Sequence, residues 1–350
     1  MRGVRSTGLL LPTILLAISG CGMPIITADD VVMAPGQSAR FVMSIDRRFG
    51  KTGVAGADVE FIVNGKRIGA AKTDADGMAS IRGEVPEPAS SYVVRATIGQ
   101  ENLRAQGRIF QWDPSRTAVA IDVDETISAT DYGSLFLTDL DYESPHIEYS
   151  PTAVQAMAAH YGIVYLSARP RWLHEKTRVW LEVHGFPPGP ILHASRFEAC
   201  WKQEEYKRAM LADFKREFPN LLVGVGDKDV DERAYGDNHM LTVILQQGPA
   251  TTYREHCVVL PGWRKIESFF TANRESLADA NRLRAIIHAN NMDLRTFFNG
   301  HELQDTDPAT LVAADSAAVA SPPAKTDQAA PSRPEPRRPP RGGWTNYGYQ

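Results

Sequence analysis

The chain has 350 residues, of which 43% are hydrophobic, and this length is typical of two domains with enough apolar residues for real cores. The formal net charge is −4 and the sequence pI is about 6.2, so the composition gives no indication of a nucleic-acid-binding protein. No internal repeat is visible.

The N-terminus has the features of a signal peptide. Arg2 and Arg5 form a short positive region, and the apolar run "GLLLPTILLAIS" that follows is too short for a transmembrane helix. Residues 1–20 are therefore predicted to be a signal peptide. The segment ends "AISGC" at Cys21, which resembles the bacterial lipobox. This resemblance implies lipidation of Cys21 and a membrane-anchored protein of the bacterial cell envelope. The alternative is an ordinary signal peptide whose cleavage site lies near a cysteine.

Residues 21–110 have an all-β pattern. Short runs such as "ARFVMSI" and "SYVVRATI" are separated by turn residues, and Asn64-Gly65 predicts a two-residue hairpin turn. The segment "GVAGADVEFIVNGKRIGAAKTDADGMASI" resembles the bacterial immunoglobulin-like domains of invasin-type surface proteins. The resemblance implies an immunoglobulin-like sandwich that acts as a spacer or contact module, with an unknown partner.

Residues 111–117, "QWDPSRT", are predicted to be a linker, after which strands and helices alternate. The runs "AVAIDVD", "IVYLSARP", "LLVGVGD" and "LTVILQQ" are typical of buried parallel strands. The intervening segments are predicted helices, and the first has Ser150 as N-cap, Pro151 at its first position and Gly162 at its end. The pattern predicts an α/β domain with a doubly wound parallel sheet over residues 118–302. The Pro-rich residues 303–350 are predicted to be a disordered tail.

Polar side chains follow the predicted strands, where the active sites of open parallel sheets lie. These candidates are Asp122 and Asp124 after the first strand, Ser167 after the second, Lys207 on a helix, and Asp227 and Asp231 after the third. Each taken singly has a plainer interpretation: a solvated acidic turn, a turn serine, or a solvated lysine on an amphipathic helix. Four histidines show no metal-ligand spacing and receive no predicted role: His146, His160, His174 and His184.

Taken together, the candidates occur in the order Asp-x-Asp-x-Thr, Ser, Lys and Gly-Asp-x-x-x-Asp. This order is similar to that of the motifs of the haloacid dehalogenase-like phosphatase superfamily. The stretches "IDVDETISATD", "VYLSARP", "YKRAML" and "GVGDKDVDERAY" resemble the motifs of lipin-type phosphatidate phosphatases. The resemblance spans roughly residues 118–245. Glu125 and Asp227 depart from that pattern, because the family commonly has Gly or Asp at the first position and Asn at the second.

The resemblance implies a Mg²⁺-dependent phosphatase with phosphatidate as the favoured substrate. Phosphoryl transfer depends mainly on positioning and on neutralising charge. The implied roles are Asp122 as nucleophile, Asp124 as general acid and base, and Lys207 as the neutralising cation. The implied Mg²⁺ ligands are Asp122, the Asp124 carbonyl, Asp227 and Asp231, and the implied phosphate-binding residues are Thr126, Ser167, Ala168 and Arg169. A neighbouring carboxylate is expected to help keep a proton on Asp124, whereas a bound metal ion is expected to act in the opposite direction. Two alternatives stay open: a phosphatase for a soluble periplasmic phosphomonoester, and a non-catalytic surface or lipid-binding module.

The segment between Thr126 and Ser150 is too short for a large cap domain, so an open site is expected. Its "YGSLFL" run, residues 132–137, either dips into a bilayer interface or packs on the sheet edge. Cys200 and Cys257 either pair in an oxidising compartment or stay as inert thiols.

Overall fold

The computed structural model describes residues 24–47, 53–85, 88–137, 144–194, 202–246 and 257–289. Four predictions therefore fall outside the described residues: the signal peptide, Cys21, the Pro-rich tail and the Cys200 end of a disulfide. Cys257 is buried at the start of a strand.

The N-terminal region consists of two sheets that share one core. Within the described part of the chain, β3 lies at the centre of a three-stranded sheet of order β1-β3-β6, and the second sheet has the order β2-β8-β7-β4-β5. Alternate residues face inward, so that Phe41 of β3 and Phe61 of β4 are both fully buried in the same cluster. The strands are β1 (Pro24–Ala28), β2 (Val31–Met33), β3 (Ser38–Arg47), β4 (Asp58–Val63), β5 (Lys66–Lys72), β6 (Met78–Glu84), β7 (Ser91–Ile98) and β8 (Glu101–Gln111).

The predicted hairpin turn at Asn64-Gly65 is confirmed. It joins β4 to β5, which pair antiparallel with Val63 opposite Lys66. The φ angles of 49° and 76° at the two turn residues are the positive values that a type I′ turn requires, and Asn and Gly tolerate them best. The local sequence therefore determines the register of this hairpin.

The C-terminal region is an α/β domain with a parallel sheet, as predicted. Over the described ranges the sheet has six strands in the order β11-β10-β9-β12-β13-β14, and every neighbouring pair is parallel. The four central strands are those that the sequence predicted, while β11 and β14 at the edges were missed because four residues are too few to show a period. The strands are β9 (Ala118–Asp122), β10 (Gly162–Pro170), β11 (Ile191–Ala194), β12 (Leu221–Gly226), β13 (Leu241–Leu245) and β14 (Cys257–Leu260).

Helices cover both faces of this sheet. Val119 and Ile121 of β9 lie in a cluster with residues of α2, α3, α6 and α8, whereas Ala118 and Ala120 lie in another with residues of α4 and α5. Because both faces are buried, the strand reads as a continuous apolar run rather than an alternating one. The helices are α1 (Tyr132–Leu137), α2 (Ser150–Ala158), α3 (His174–Val183), α4 (Gln203–Glu217), α5 (Asp229–Asp237), α6 (Trp263–Ala272), α7 (Arg274–Leu277) and α8 (Ala280–Ala289).

The predicted ends of α2 are wrong. Tyr149, in a left-handed conformation with φ 65°, precedes the helix, and Ser150 is its first residue rather than its N-cap. The Ser150 hydroxyl donates to the Ile147 carbonyl at 2.7 Å instead of accepting from the helix. At the other end Gly162 begins β10, and the helix already stops at Ala158. The Ser150 side chain therefore stabilises the loop before the helix rather than the N-terminus of the helix.

The predicted linker contains a buried residue that joins the two regions. Trp112 is 8% exposed and its ring lies 5.3 Å from that of Phe218, in an edge-to-face arrangement. The same cluster includes Val32 of the N-terminal sheet and Leu211 of α4. A Cβ added to Gly162 would lie 2.8 Å from the Trp112 ring, so this position requires glycine. Trp112 thus packs between the two regions, whereas residues 113–115 of the predicted linker are exposed.

Candidate active site

The carboxyl ends of two neighbouring strands form the centre of the site. Asp122 is the last residue of β9, and β12, paired parallel beside it, ends at Gly226 and leads into Asp227. Asp122 is 1% exposed. A carboxylate at that depth is costly unless charged partners surround it.

Lys207 provides the first of these partners. Its ammonium lies 2.6 Å from Oδ1 of Asp122 and 2.6 Å from Oδ1 of Asp231, and the side chain is 3% exposed. Lys207 reaches the sheet edge because α4 packs against α5, which carries Asp231. The structure therefore places this lysine in the interior, and the solvated-lysine interpretation is wrong.

Asp231 lies in the first turn of α5 rather than at the strand end. Its Oδ2 accepts weak hydrogen bonds, each 3.3 Å long, from the backbone N–H groups of Asp227 and Lys228. Lys228 is the N-cap of α5 and Asp227 precedes it, so both N–H groups lie immediately before the helix, at the end that favours a carboxylate. A Cβ added to Gly226 would lie 2.4 Å from the Asp231 Cβ, so glycine is required for this close approach.

Thr126 connects the two aspartates that follow β9 and β12. Its hydroxyl lies 2.9 Å from Oδ1 of Asp227 and 3.2 Å from Oδ2 of Asp122, as a donor to these carboxylates. The Thr126 carbonyl accepts a hydrogen bond from the Trp263 indole at 2.8 Å. In this structure Thr126 holds carboxylates in place, whereas the sequence predicted a phosphate contact.

The donor set suits a divalent cation. Carboxylate oxygens of Asp122, Asp227 and Asp231 lie within 4.8 Å of one another. Three carboxylates and the Lys207 ammonium leave two negative charges in a buried space, which one divalent ion would neutralise. Mg²⁺ prefers oxygen ligands of this type and keeps some of its waters. The residues present therefore fit the predicted Mg²⁺ site, with the Asp124 carbonyl as a further predicted ligand.

The pKa values of the cluster are shifted by burial first and by neighbouring charges second. Burial raises the pKa of Asp122 well above its usual value, Lys207 opposes this, and Asp231 adds to it. Burial and the neighbouring Asp231 raise the pKa of Asp227 to about 6. Burial disfavours the charged form of Lys207, but Asp122 and Asp231 outweigh it and raise its pKa. A bound cation would remove much of the repulsion between the carboxylates.

Asp124 lies in a separate hydrogen-bond network. Its Oδ1 accepts from Nε and Nη2 of Arg169 at 3.0 and 2.8 Å and from the Thr130 hydroxyl at 2.8 Å. Its Oδ2 accepts from the Ser167 hydroxyl at 2.8 Å. Burial raises the pKa of Asp124, but the Arg169 charge and these hydrogen bonds outweigh it and bring the pKa below its usual value.

The expectation that a neighbouring carboxylate helps keep a proton on Asp124 is therefore wrong. The chain leaves the extended conformation after Asp122, and Glu125 adopts φ 66°, so the carboxylates of Asp122 and Asp124 have different partners. The charge of Arg169 lowers the pKa of Asp124 and so reverses the direction that was predicted. To act as a general acid, Asp124 must leave this ion pair and take up a proton.

The remaining predicted phosphate-binding residues surround Asp124. Ser167 is fully buried, and besides donating to Asp124 its hydroxyl accepts the Arg169 backbone N–H at 3.1 Å. Arg169 is 2% exposed and Ala168 is 7% exposed. The structure thus brings Ser167 and Arg169 into contact with Asp124, for which the resemblance implied the general acid and base role.

Tyr132 is the first residue of the "YGSLFL" run, for which the sequence left open a bilayer contact or packing on the sheet edge. It begins α1 and is 42% exposed. Burial first, and then the charges of Asp124 and Asp122, raise the pKa of its phenol. Within the same "YGSLFL" run, Leu135 is buried and Phe136 packs on Trp172, whereas Leu137 is 81% exposed.

A comparison with known families bears directly on this region. Residues 86–243 match the LNS2 (Lipin/Ned1/Smp2) family model. The match covers less than half of the chain, includes every predicted site residue from Asp122 to Asp231, and begins before the predicted domain border at Ala118. It supports the prediction of a lipin-type, haloacid dehalogenase-like domain. No curated protein sequence matches the chain.

Solved structures show partial likenesses to different parts of the chain. A titin M4 structure has 15% identity and a TM-score of 0.19, covering 25% of this chain and 95% of that chain. A Had-superfamily hydrolase from Ehrlichia chaffeensis has 11% identity and a TM-score of 0.32, covering 45% and 97%. A Bacteroides uniformis β-glucuronidase has 11% identity and a TM-score of 0.31, covering 73% and 38%. With TM-scores this low, none of the three carries an argument about fold or function.

Proposed function

We propose that the protein is a Mg²⁺-dependent phosphatase that hydrolyses a phosphomonoester through an aspartyl-phosphate intermediate. The observation that carries this proposal is the buried cluster of Asp122, Asp227, Asp231 and Lys207 at the carboxyl end of the sheet. A carboxylate nucleophile divides phosphoryl transfer into two easier steps. A solvated acidic loop would not bury a lysine among its carboxylates.

Each residue has a distinct proposed role. A carboxylate oxygen of Asp122 forms a bond to phosphorus while the ester P–O bond breaks, and Asp124, once protonated, gives its proton to the leaving oxygen. Water then attacks the phosphorus, Asp124 takes a proton from it, and the Asp122 carboxylate is released. Lys207 stabilises the charge of Asp122 and of the phosphate. Mg²⁺ would supply further charge neutralisation at the phosphate oxygens.

We propose phosphatidate as the favoured substrate and a soluble phosphomonoester as the alternative. The match to the LNS2 model supports a lipid phosphate. The exposed Tyr132 and Leu137 of α1 could enter a bilayer interface, whereas Phe136 packs against Trp172 and is less suited to that role. The N-terminal region, which we propose to be immunoglobulin-like because its two sheets share a core, would then act as a spacer.

The substrate proposal predicts a higher kcat/KM for phosphatidate in mixed micelles than for glycerol 3-phosphate. Leu137→Ser should lower the value on micelles about tenfold, because burial of a leucine is worth roughly 1.5–3 kcal/mol, and should leave the soluble substrate unaffected. Val183→Ser is the matched control, since Val183 is 76% exposed on α3. Equal turnover of the soluble ester, with no effect of Leu137→Ser, would favour the alternative. No phosphate release from either substrate would favour a non-catalytic binding module.

We also propose that a lipid on Cys21 anchors the protein to a membrane of the bacterial cell envelope. Among the described residues, none of the helices combines the length and apolar character needed to cross a bilayer. Two acyl chains give stable anchoring, because each buried CH₂ contributes about 0.8 kcal/mol. Cys21→Ser should therefore move the protein from the membrane to the soluble fraction, while Cys200→Ser should not. An unmodified Cys21 in the mass spectrum of the purified protein would contradict the anchor.

A further inference from the structure

Two histidines that are 38 residues apart in the sequence meet on the surface beside α3. The Nδ1 atoms of His146 and His184 lie 3.1 Å apart, and their rings are 5.2 Å apart at 67°. His146 is exposed in the loop before α2, and His184 follows the last residue of α3. The His184 ring also lies 4.6 Å from the ring of Trp180, which is buried. Nothing in the proposed phosphatase mechanism uses this pair.

The distance between the two nitrogens suits a shared metal ion. With metal–nitrogen bonds of about 2.0–2.1 Å and an N–metal–N angle between a right angle and the tetrahedral angle, the two nitrogens lie roughly 2.8–3.4 Å apart. We propose that His146 and His184 form a transition-metal site, for an ion such as Zn²⁺, Ni²⁺ or Cu²⁺, distinct from the acidic site. Water would complete the coordination on the exposed side.

The chemistry of the ligands separates this site from the Mg²⁺ site. Imidazole nitrogens suit Zn²⁺, Ni²⁺ and Cu²⁺, whereas carboxylate oxygens suit Mg²⁺. Burial first, and then the proximity of His146, lower the pKa of His184, while a hydrogen bond with the Ser144 backbone opposes this. A metal binds the neutral form of imidazole. The Ser144 carbonyl accepts a hydrogen bond from the Trp180 indole at 2.7 Å, which ties the loop of His146 to α3.

A metal at this position would reinforce the segment that follows the catalytic aspartates. The backbone of His146 forms an isolated antiparallel β-bridge with that of Ser128, and the Ala129 N–H donates to the Pro145 carbonyl at 2.9 Å. A shared ion would connect that paired segment to the end of α3. The metal would thus stabilise the segment that follows Asp124 without contacting the substrate. Metal binding should therefore raise the melting temperature of the protein.

The test is Zn²⁺ titration of the untagged full-length protein by calorimetry, with Mg²⁺ in excess to occupy the acidic site. We expect one Zn²⁺ per chain. Either His146→Ala or His184→Gln should weaken binding at least about tenfold, because the loss of even a supporting partner of a metal ligand typically costs 10–100-fold. Cu²⁺ should quench part of the tryptophan fluorescence, since Trp180 adjoins His184, and the same variants should remove that quenching.

His288→Ala is the matched control, because His288 is an exposed histidine on α8. It should leave Zn²⁺ affinity unchanged. Both His146 and His184 variants must also keep the circular dichroism spectrum of the parent protein. The proposal is overturned if the parent protein binds no Zn²⁺ in excess Mg²⁺, or if both folded variants bind it as tightly as the parent. In either case the pair would be only a hydrogen bond between two imidazoles. The outcome is independent of phosphatase activity.

Discussion

Asp122→Asn should abolish phosphate release while the protein stays folded. The amide can neither attack phosphorus nor bind Mg²⁺ as an anion, and the loss of a catalytic nucleophile costs at least about a thousandfold in kcat. The fold should persist because the asparagine oxygen can still accept a hydrogen bond from Lys207, whose ammonium lies 2.6 Å from Oδ1 in the parent protein. The measurement is phosphate release with excess Mg²⁺, alongside circular dichroism and thermal unfolding.

Asp229→Asn is the control for this substitution. Asp229 belongs to the same acidic stretch but is exposed and pairs with Arg233 on the surface, so its loss should change turnover little. Removal of Mg²⁺ by a chelator should stop the parent enzyme reversibly. Unchanged turnover by a folded Asp122→Asn protein would contradict the nucleophile assignment, whereas loss of turnover in both variants would indicate a general effect of the acidic stretch.

Lys207→Met should remove activity and also lower the free energy of unfolding by about 3–5 kcal/mol, the usual cost of breaking a buried ion pair. The methionine has a similar length, so the main loss is the charge between Asp122 and Asp231. The effect should be largest without Mg²⁺, because the carboxylates then repel one another without compensation. Urea unfolding with and without Mg²⁺ measures both quantities.

Arg208→Met, one position along α4, is the matched control. Arg208 pairs with Asp237 at 3.2 Å, but both side chains are more than a third exposed, so the pair should contribute at most about 1 kcal/mol. A Lys207→Met protein with the stability and turnover of the parent would show that the ammonium is dispensable. It would contradict the proposed role of Lys207 in neutralising the charge of Asp122 and the phosphate.

Several features of the site were accessible from the sequence because they depend on local order. The apolar runs of β9, β10, β12 and β13 are buried on both faces, and such strands need no alternation. Since the strands are parallel, residues after them must meet at one edge, which brought Asp122 and Asp227 together in the prediction. The positive φ angles at Asn64-Gly65 were likewise determined by residue type.

Only the tertiary structure decided which partners these residues have. Lys207 is buried because α4 docks against α5, and no spacing within "YKRAML" distinguishes a buried lysine from a solvated one. The pairing of Asp124 with Arg169, 45 residues later in the chain, reverses the pKa shift that was expected from neighbouring carboxylates alone. His146 and His184 meet for the same reason, since the loop before α2 packs on the end of α3. Hydrophobic patterns and turn residues act over a few positions, whereas ion pairs and ligand pairs depend on how whole elements dock.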